Sequence, residues 1–171
     1  MTVSDAEFRA VLGRFPTGVT VVATCDGKIP VGLTVNAFAS ISLDPPLVMI
    51  SIDKRSHLRD AIPQAGYFAA SILTTEQQEL SRRFAGQSNH RNDRFHGVSW
   101  RIEATGAPVL NDALAWVDCR MEAMYPGGDH SIILGRVEAL GFTTGEPLLY
   151  YRGRYGRIDL PADATLRKVE P

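Results

Sequence analysis

Apolar and polar residues alternate over long stretches of this 171-residue chain, and the period of the alternation predicts β-strands. The clearest stretch is AWVDCRMEAMY, in which two sets of residues take opposite faces: Val117, Cys119, Met121 and Ala123 on one, and Asp118, Arg120 and Glu122 on the other. The next stretch, HSIILGRVEALGF, is expected to pair with it across PGG as a long hairpin.

Further strands are predicted where β-branched and apolar residues cluster, at GVTVVATC, IPVGLTVN, LVMISI and YFAASIL. The first two flank DGK, which is typical of a hairpin turn, and LDPP is a breaker ahead of LVMISI. PLLYYRGRYGRI predicts a last, short hairpin.

Short helices are predicted around these strands. Ser4 and Glu7 have the spacing of a capping box, and one apolar helical face follows them: Phe8, Val11, Leu12 and Phe15. RSHLRDAIPQAG predicts a second helix, cut by Pro63. Thr75 is expected to cap a third helix through EQQELSRRFAG, with Gln78 in the capping-box position.

Many strands, two or three helices and several hairpin turns predict an antiparallel β-barrel with helices packed outside it. No repeat or interdomain linker interrupts the chain, so we expect one domain over residues 1–160 and a loosely ordered C-terminal tail over residues 161–171. The polar, aperiodic stretch QSNHRNDRFHG predicts a loop.

Composition narrows the class of protein. Hydrophobic residues make up 44% and charged residues 22%, as in ordinary globular domains, and a net charge of −1 argues against nucleic-acid and anionic-membrane partners. We find no membrane-spanning apolar run and no secretory signal in the sequence. Cys25 and Cys119 stand alone in strand-like runs, which fits reduced thiols, so a cytoplasmic location is expected.

Two segments carry polar groups that suit a ligand. In GLTVNAFASISLDPP, small residues and neutral donors follow a strand, which suits a flat heteroaromatic ligand as well as it suits a plain strand end. In SIDKRSHLRD, hydroxyls and cations stand at a strand-to-helix junction, as in a phosphate site or a solvated helix start. Arg82 and Arg83 lie near the end of a helix, where cations are favoured in any case, and Phe84 is expected in the core.

The stretch YPGGDHSIILGRVE places Asp129 and His130 after a glycine turn. His57, His90 and His96 are scattered without metal-ligand spacing, so no metal site is predicted. No GxSxG elbow provides a nucleophile for a triad. A structural histidine and a pocket-lining histidine remain equally good interpretations on these grounds.

Five segments in this order resemble the flavin reductase-like family, the short-chain NAD(P)H:flavin oxidoreductases with an FMN-binding split barrel. The matching segments are FRAVLGRFPTGVTVV, GLTVNAFASISLDPPLV, LSRRFAG, GGDHSIILGRVE and PLLYYRGRYG, which span roughly residues 8 to 158. The likeness is closest to the small reductase components of two-component flavin-dependent aromatic monooxygenases. The resemblance therefore implies a mainly β, antiparallel split barrel with peripheral helices.

The resemblance also implies roles for particular residues. The isoalloxazine and ribityl chain of FMN or FAD would be lined by Pro30, Val31, Gly32, Leu33, Thr34, Asn36 and Ala37, with Ser51, Ile52 and Asp53 continuing that wall. The phosphate end would lie near Ser56, His57, Leu58, Arg83 and Phe84. His130 would face the nicotinamide of NADH or NADPH, with Tyr151 as a further nicotinamide contact.

The implied function is hydride transfer from NAD(P)H to FMN or FAD by a homodimer that supplies reduced flavin to a separate oxygenase component. Because the cofactor carries the redox chemistry, the protein needs neither a nucleophile nor a metal. Two alternatives stay open: a non-catalytic flavin-binding protein, and a reductase of another acceptor such as ferric chelates. We expect Arg152, Arg154 and Arg157 to be solvated turn residues rather than a clamp for the 2′-phosphate of NADPH.

Overall fold

The computed structural model describes residues 3–87 and 93–159. Its strands are β1 (Thr17–Gly18), β2 (Thr20–Asp26), β3 (Ile29–Val35), β4 (Phe38–Leu43), β5 (Pro46–Asp53), β6 (Tyr67–Ile72), β7 (Trp100–Ile102), β8 (Pro108–Leu110), β9 (Ala115–Gly127), β10 (His130–Phe142), β11 (Leu149–Tyr151) and β12 (Arg154–Gly156). Its helices are α1 (Asp5–Leu12), α2 (His57–Ala65) and α3 (Gln78–Phe84), and a 3₁₀ turn at Thr75–Gln77 leads into α3.

The central sheet has seven strands in the order β3-β2-β6-β9-β10-β5-β4, and every neighbouring pair is antiparallel. Only Asn36 and Ala37 separate β3 from β4, so the two edges of the sheet meet at one end. The edges are not hydrogen-bonded to each other in the described sheet, which curls into a barrel that stays split. The predicted antiparallel split barrel is confirmed.

The barrel has an inner and an outer core. Inside, side chains from β2, β3, β5, β6, β9 and β10 pack with Leu58 and Ile62 of α2, so this helix closes part of the barrel interior. Outside, the other face of β2 packs against Phe84 of α3 and Phe95 of the following loop. Alternation along β2 therefore leaves it buried on both faces, as the run from Thr20 to Thr24 shows.

The helices follow the predicted segments, with two corrections. Pro63 does not cut α2, because the helix continues through it and ends at Gly66, whose φ of 78° only glycine adopts readily. The third helix is capped one residue earlier than expected, by a capping box between Thr74 and Gln77. The register moves because the first turn is 3₁₀, with three residues per turn.

The long hairpin also differs from its prediction in detail. The turn between β9 and β10 is Gly128–Asp129, since His130 already pairs with Gly127. Asp118 is fully buried, because the small β7–β8 sheet covers that face of β6 and β9. Its carboxylate accepts hydrogen bonds from the backbone amide and the hydroxyl of Thr105, the first at 2.8 Å. Strands β7 and β8 themselves were not predicted from the sequence.

Helix α1 forms as predicted, and its Ser4–Glu7 capping box is present. The apolar residues predicted for its face are nevertheless exposed: Phe8 by 59%, Val11 by 65% and Leu12 by 51%, and Phe15, which follows the helix, by 72%. Against the described residues, the helix therefore buries none of its side chains. Across residues 3–87 and 93–159, no helix has the length and apolarity to cross a membrane. The C-terminal tail and part of the polar loop, residues 88–92, lie outside the described residues.

Candidate functional site

A cleft of about 1150 Å³ lies along the free edge of β3. The end of β5, the start of α2 and the loop that follows α3 form its other walls. Eight of the residues predicted to bind a cofactor line this cleft: Pro30, Val31, Gly32, Leu33, Asp53, Ser56, His57 and Leu58. Segments that are far apart in sequence, two strands and a helix start, are thus brought to one cavity.

The edge of β3 presents backbone donors to this cleft. A two-residue turn joins β2 to β3, and Asp26 and Ile29 beside it form a hydrogen-bonded pair. From that pair onward, non-hydrogen-bonded and hydrogen-bonded residue pairs alternate along the two strands. Gly32 and Thr34 fall in the alternate positions, so their amides point away from β2, and no other described strand pairs with that edge. Pro30 also stands at a position whose backbone nitrogen points away from β2, and proline has no N–H to donate there, as is typical of edge strands.

The turn after β5 is locked against the β9–β10 turn. The carboxylate of Asp53 accepts hydrogen bonds from Arg55 at the backbone amide (2.8 Å), Nε (3.1 Å) and Nη2 (2.7 Å). Lys54 donates its backbone amide to the carbonyl of Asp129 at 3.0 Å and its Nζ to the carbonyl of Gly128 at 2.6 Å. The hydrogen bonds from Arg55 hold the pKa of Asp53 far below its usual range.

His130 lies directly across the sheet from Asp53, outside the cleft lining. Its Nδ1 is 2.8 Å from Oδ1 of Asp129, and the hydrogen bond lowers the pKa of that carboxyl. Because an ionised carboxylate only accepts hydrogen bonds, Nδ1 carries the hydrogen. Nε2 then has no partner within the described part of the chain and is available to a ligand.

The lowered pKa of Asp53 predicts that the stability contributed by its carboxylate depends on pH. A carboxyl whose folded pKa lies below its unfolded value of about 3.9 stabilises the fold above that pH and loses this effect as pH falls through and below it. The melting temperature of Asp53→Asn should therefore be below that of the unmodified protein at pH 7, and the difference should shrink towards about pH 3.

Thermal unfolding followed by circular dichroism at a series of pH values measures this difference. Arg55→Gln should reproduce the effect, because it removes the side-chain donors that lower the pKa. A difference in melting temperature that stays constant from neutral to acidic pH would contradict the role assigned to the Asp53 carboxylate.

The start of α2 forms one rim of the cleft. Nε2 of His57 lies 2.9 Å from Oδ2 of Asp26, which ties the helix to the β2–β3 turn. Ser56 is the N-cap residue, yet its side chain makes no capping hydrogen bond. Its hydroxyl and the first amides of the helix are therefore available to an anion at this rim.

A second cleft of about 530 Å³ is lined by Thr34 and Asn36, which follow the part of β3 that lines the first cleft. The hydroxyl of Thr34 donates to the carbonyl of Ser81 at 2.6 Å, so it ties β3 to α3. Oγ of Ser81 is in turn 2.9 Å from the hydroxyl of Tyr155. Arg154, expected as a solvated turn residue, lines this second cleft.

The remaining predicted residues line neither cleft: Ala37, Ser51, Ile52, Arg83, Phe84, His130 and Tyr151. Ser51 donates its amide to the carbonyl of Ala37 at 3.0 Å, which joins β5 to the corner between β3 and β4. The side chains of Ile52 and Phe84 belong to the two cores, so only their backbone is available to a ligand. Tyr151 is an exposed residue of the small β1–β11–β12 sheet.

Gly32 also has a packing role that was not predicted. Its lack of a side chain was expected to let a ligand approach, but a Cβ there would lie 2.8 Å from Cε1 of Phe84 and 3.2 Å from Cε2 of Phe95. The glycine therefore makes room for two core aromatic rings, which pack edge to face with centroids 4.9 Å apart. It serves the cleft by placing the loop that carries Phe95 against β3.

Sequence reasoning missed Arg94, which lines the first cleft. Its Nη1 donates to the carbonyls of Gly32 and Phe84, both at 2.9 Å. The residue lies in the aperiodic stretch NDRF, where neither periodicity nor a known motif separates it from neighbouring loop residues. Its only local signal is the adjacent Phe95, an aromatic in an otherwise polar loop.

Known proteins are similar to this chain in both sequence and fold. The family profile described as Flavin reductase like domain matches residues 12–159. The chain belongs to the flavin reductase-like family. The FMN reductase (NADH) SmoA of Agrobacterium fabrum is 44% identical over 156 residues, which cover 91% of this chain and 87% of that protein. The reductase subunit HsaB of a flavin-dependent monooxygenase from Rhodococcus jostii is 40% identical over 158 residues, covering 92% of this chain and 80% of that protein.

Solved structures of the family have the same fold. The flavin reductase PheA2 in its native state matches with a TM-score of 0.86 and 37% identity, covering 92% of this chain and 100% of that one. The NADH:FAD oxidoreductase SgcE6 of Streptomyces globisporus, in complex with NAD and FAD fragments, also has a TM-score of 0.86 and 37% identity, covering 95% of this chain and 100% of that one.

The residues of the first cleft fit a flavin. Its volume of about 1150 Å³ is slightly above the range that small-molecule and cofactor sites enclose, roughly 300–1000 Å³, so a flavin has room in it. The outward amide of Gly32, and that of Thr34 where β3 passes into the second cleft, suit the carbonyl and nitrogen acceptors of a flat heteroaromatic ring. The start of α2 and the guanidinium of Arg94 suit a phosphate.

Proposed function

We propose that this protein is an NADH-dependent flavin reductase that transfers hydride from NADH to FMN or FAD. The observation that carries the proposal is the cleft along the free edge of β3, where eight of the residues that the family resemblance assigns to the cofactor meet. Relatives over nine-tenths of the chain are named FMN reductase (NADH) and reductase subunit of a flavin-dependent monooxygenase. Family membership and site geometry thus support the same reaction.

When bound, the flavin supplies the hydride acceptor, so the protein's task is binding and orientation. The amides of Gly32 and Thr34 would hold the ring edge, and donors there stabilise negative charge that develops during reduction. Leu33 and Val31, partly buried beside them, offer apolar contact to a ring face. Two rings that react by hydride transfer must stack within about 3–3.5 Å, so the flavin ring must keep one face open to the nicotinamide.

His130 is the residue we assign to the nicotinamide. Asp129 fixes its ring through Nδ1, which leaves Nε2 to form a hydrogen bond with the carboxamide, whose oxygen accepts and whose NH₂ group donates. Its cross-strand neighbour Asp53 lines the flavin cleft, so His130 stands one strand away from the flavin wall. A residue in this place orients the co-substrate without exchanging a proton.

NADH oxidation followed at 340 nm with added FMN, FAD or riboflavin tests the proposed function. Oxidation should depend on both protein and flavin and exceed the rate without protein. A flavin-binding protein without reductase activity would quench flavin fluorescence but leave NADH unchanged, and that result would refute the proposal. Repeating the assay with ferric chelates in place of flavin identifies a reductase of another acceptor.

We also propose that the reduced flavin leaves to serve a separate oxygenase component. The relatives HsaB and SmoA carry the names of a monooxygenase reductase subunit and an FMN reductase, which supports such a partnership. The flavin cleft opens to solvent along β3 rather than being enclosed, which suits release of a diffusible product. Coupling is testable by adding a purified flavin-dependent oxygenase component and its substrate to the protein with NADH and flavin, and measuring the oxygenated product.

A homodimer is the proposed assembly. Helix α1 has eight residues, which is too short for an isolated helix to be stable in water, and its apolar face is not buried by any part of the chain that the structure describes. Other large apolar side chains are exposed on the barrel strands, among them Leu43 by 95% and Phe142 by 73%. Exposed apolar surface of this kind marks a protein interface, and a second copy is the partner we assign to it.

Leu12→Asp should therefore shift the protein from dimer to monomer, because it puts a charge into the apolar face of α1. Sedimentation should give a mass twice the 18.7 kDa chain for the unmodified protein and the chain mass for the variant. Ala10→Asp is the matched control, since it adds the same charge on the opposite side of the same helix. Dimers in both variants would exclude α1 from the interface.

A further inference from the structure

We propose that Arg94 binds the phosphate at the end of the flavin's ribityl chain and makes the protein select FMN and FAD over riboflavin. The inference rests on the proposed function, because it names the residue that recognises one part of the flavin. It adds a residue outside the segments that carry the family resemblance, and it replaces Arg83 as the cation of the site.

Arg94 is held in place by the fold. One nitrogen, Nη1, bridges the carbonyls of Gly32 in β3 and Phe84 at the end of α3, both at 2.9 Å. The side chain is half-buried, and burial lowers the pKa of its guanidinium, which still remains charged at neutral pH. The two hydrogen bonds therefore hold a charged group at a defined point of the cleft wall.

Most of the hydrogen-bonding capacity of this guanidinium is unused. It has five N–H donors, and the two bonds to carbonyls engage only Nη1. Within residues 3–87 and 93–159, Nε and Nη2 have no hydrogen-bond partner and no carboxylate pairs with Arg94. A half-buried cation without a counter-ion is unfavourable, so the site favours an anion with two acceptor oxygens.

The other basic side chains that line the cleft, among residues 3–87 and 93–159, already have acidic partners. Arg55 is engaged by Asp53 at 2.7 Å, and His57 by Asp26 at 2.9 Å. Asp93 also lines the cleft, but its nearest ion-pair partner is His96 at 3.9 Å rather than Arg94. Of the two described arginines that line this cleft, Arg94 is thus the one that can take a ligand anion.

Arg83, the cation that the family resemblance suggests for the phosphate, does not line the first cleft. Its Nη1 donates to the carbonyl of His96 at 2.8 Å, and its side chain lines a separate depression of about 300 Å³. Arg83 and Arg94 thus line different cavities. The loop after α3 places Arg94 in the first cleft, whereas Arg83 of α3 lines the separate depression.

Fluorescence quenching titrations with FMN and riboflavin, without NADH, test the proposal. Arg94→Gln should weaken FMN binding by roughly 10- to 100-fold, the range expected when a charge-assisted hydrogen bond to phosphate is lost. Riboflavin lacks the phosphate, so its affinity should not change. Arg94→Lys keeps the charge and should recover part of the affinity for FMN. Arg120→Gln, at an exposed position of β9 outside the cleft, is the charge control.

An equal loss of affinity for both flavins in Arg94→Gln would overturn the proposal, since it would show that the arginine only supports the loop. A selective loss of FMN affinity in Arg83→Gln but not in Arg94→Gln would overturn it in favour of the family-based assignment. Binding is measured without turnover, so a protein that selects FMN but does not oxidise NADH would refute the proposed function and leave this inference standing.

Discussion

Replacing His130 with alanine should slow hydride transfer from NADH to the bound flavin by about 10- to 100-fold, because a small displacement of reacting groups is enough to cost this much. The imidazole is fixed by Asp129 at 2.8 Å and offers Nε2 to the nicotinamide carboxamide. Without it the nicotinamide ring keeps its flavin partner but loses one point of attachment. Single-turnover stopped-flow measurement of flavin reduction reports this step directly.

Flavin affinity separates this role from a structural one. His130 lies outside the cleft lining, so His130→Ala should bind FMN as the unmodified protein does. Asp129→Asn keeps an acceptor for Nδ1 and removes only the charge of an exposed pair, so its rate should fall by about fivefold or less. An unchanged rate of flavin reduction in His130→Ala would remove His130 from the proposed site, and an equal loss of flavin affinity would reassign it to the flavin.

Gly135→Ala should be the most destabilising single-methyl change in the barrel interior. A Cβ on Gly135 would lie 2.5 Å from Cζ of Phe68 and 2.9 Å from Cβ of Cys119, both of which are fully buried. Neither neighbour can move away without displacing the rest of the core, so we expect a loss of about 1–3 kcal/mol in the free energy of unfolding. Urea denaturation followed by circular dichroism measures this loss.

Gly156→Ala is the matched control for this substitution. Gly156 also lies in a strand, but no heavy atom comes within 4 Å of its added Cβ. Its free energy of unfolding should change by no more than about 0.5 kcal/mol, as for most surface substitutions. If the two variants unfold at the same urea concentration, the close packing of Phe68 over Gly135 is not present in solution.

Local patterns in the sequence were sufficient for most of the secondary structure. The Ser4–Glu7 capping box, the β2–β3 and β11–β12 hairpins and the alternation in β9 all depend on residues a few positions apart. Predictions from local patterns were wrong where contacts with residues distant in sequence determined the burial of a side chain. Asp118 alternates as a solvent-facing residue would, but a sheet formed by residues 100–110 covers it.

The candidate site was predictable only in part, for the same reason. The residues of β3 and the β5–α2 junction do line one cleft. They could be assigned to one site from the sequence because the resemblance to the family extends over both parts of the chain. Phe84 follows Arg83 in the family motif, yet packing turns its ring into the core beside Gly32. The motif identifies a segment, whereas packing decides which side chains of that segment enter the core and which line a cavity.

The sequence by itself determined the family, the antiparallel split barrel and most of the segments that line the first cleft, because hairpins, caps and ordered motifs depend on short stretches of chain. Only the tertiary structure decided that Arg94 rather than Arg83 faces the cleft, and that Gly32 makes room for aromatic rings. Both outcomes depend on how a loop after α3 packs against the edge of β3. Such contacts join residues about 60 positions apart, Gly32 with Arg94, and no local pattern records them.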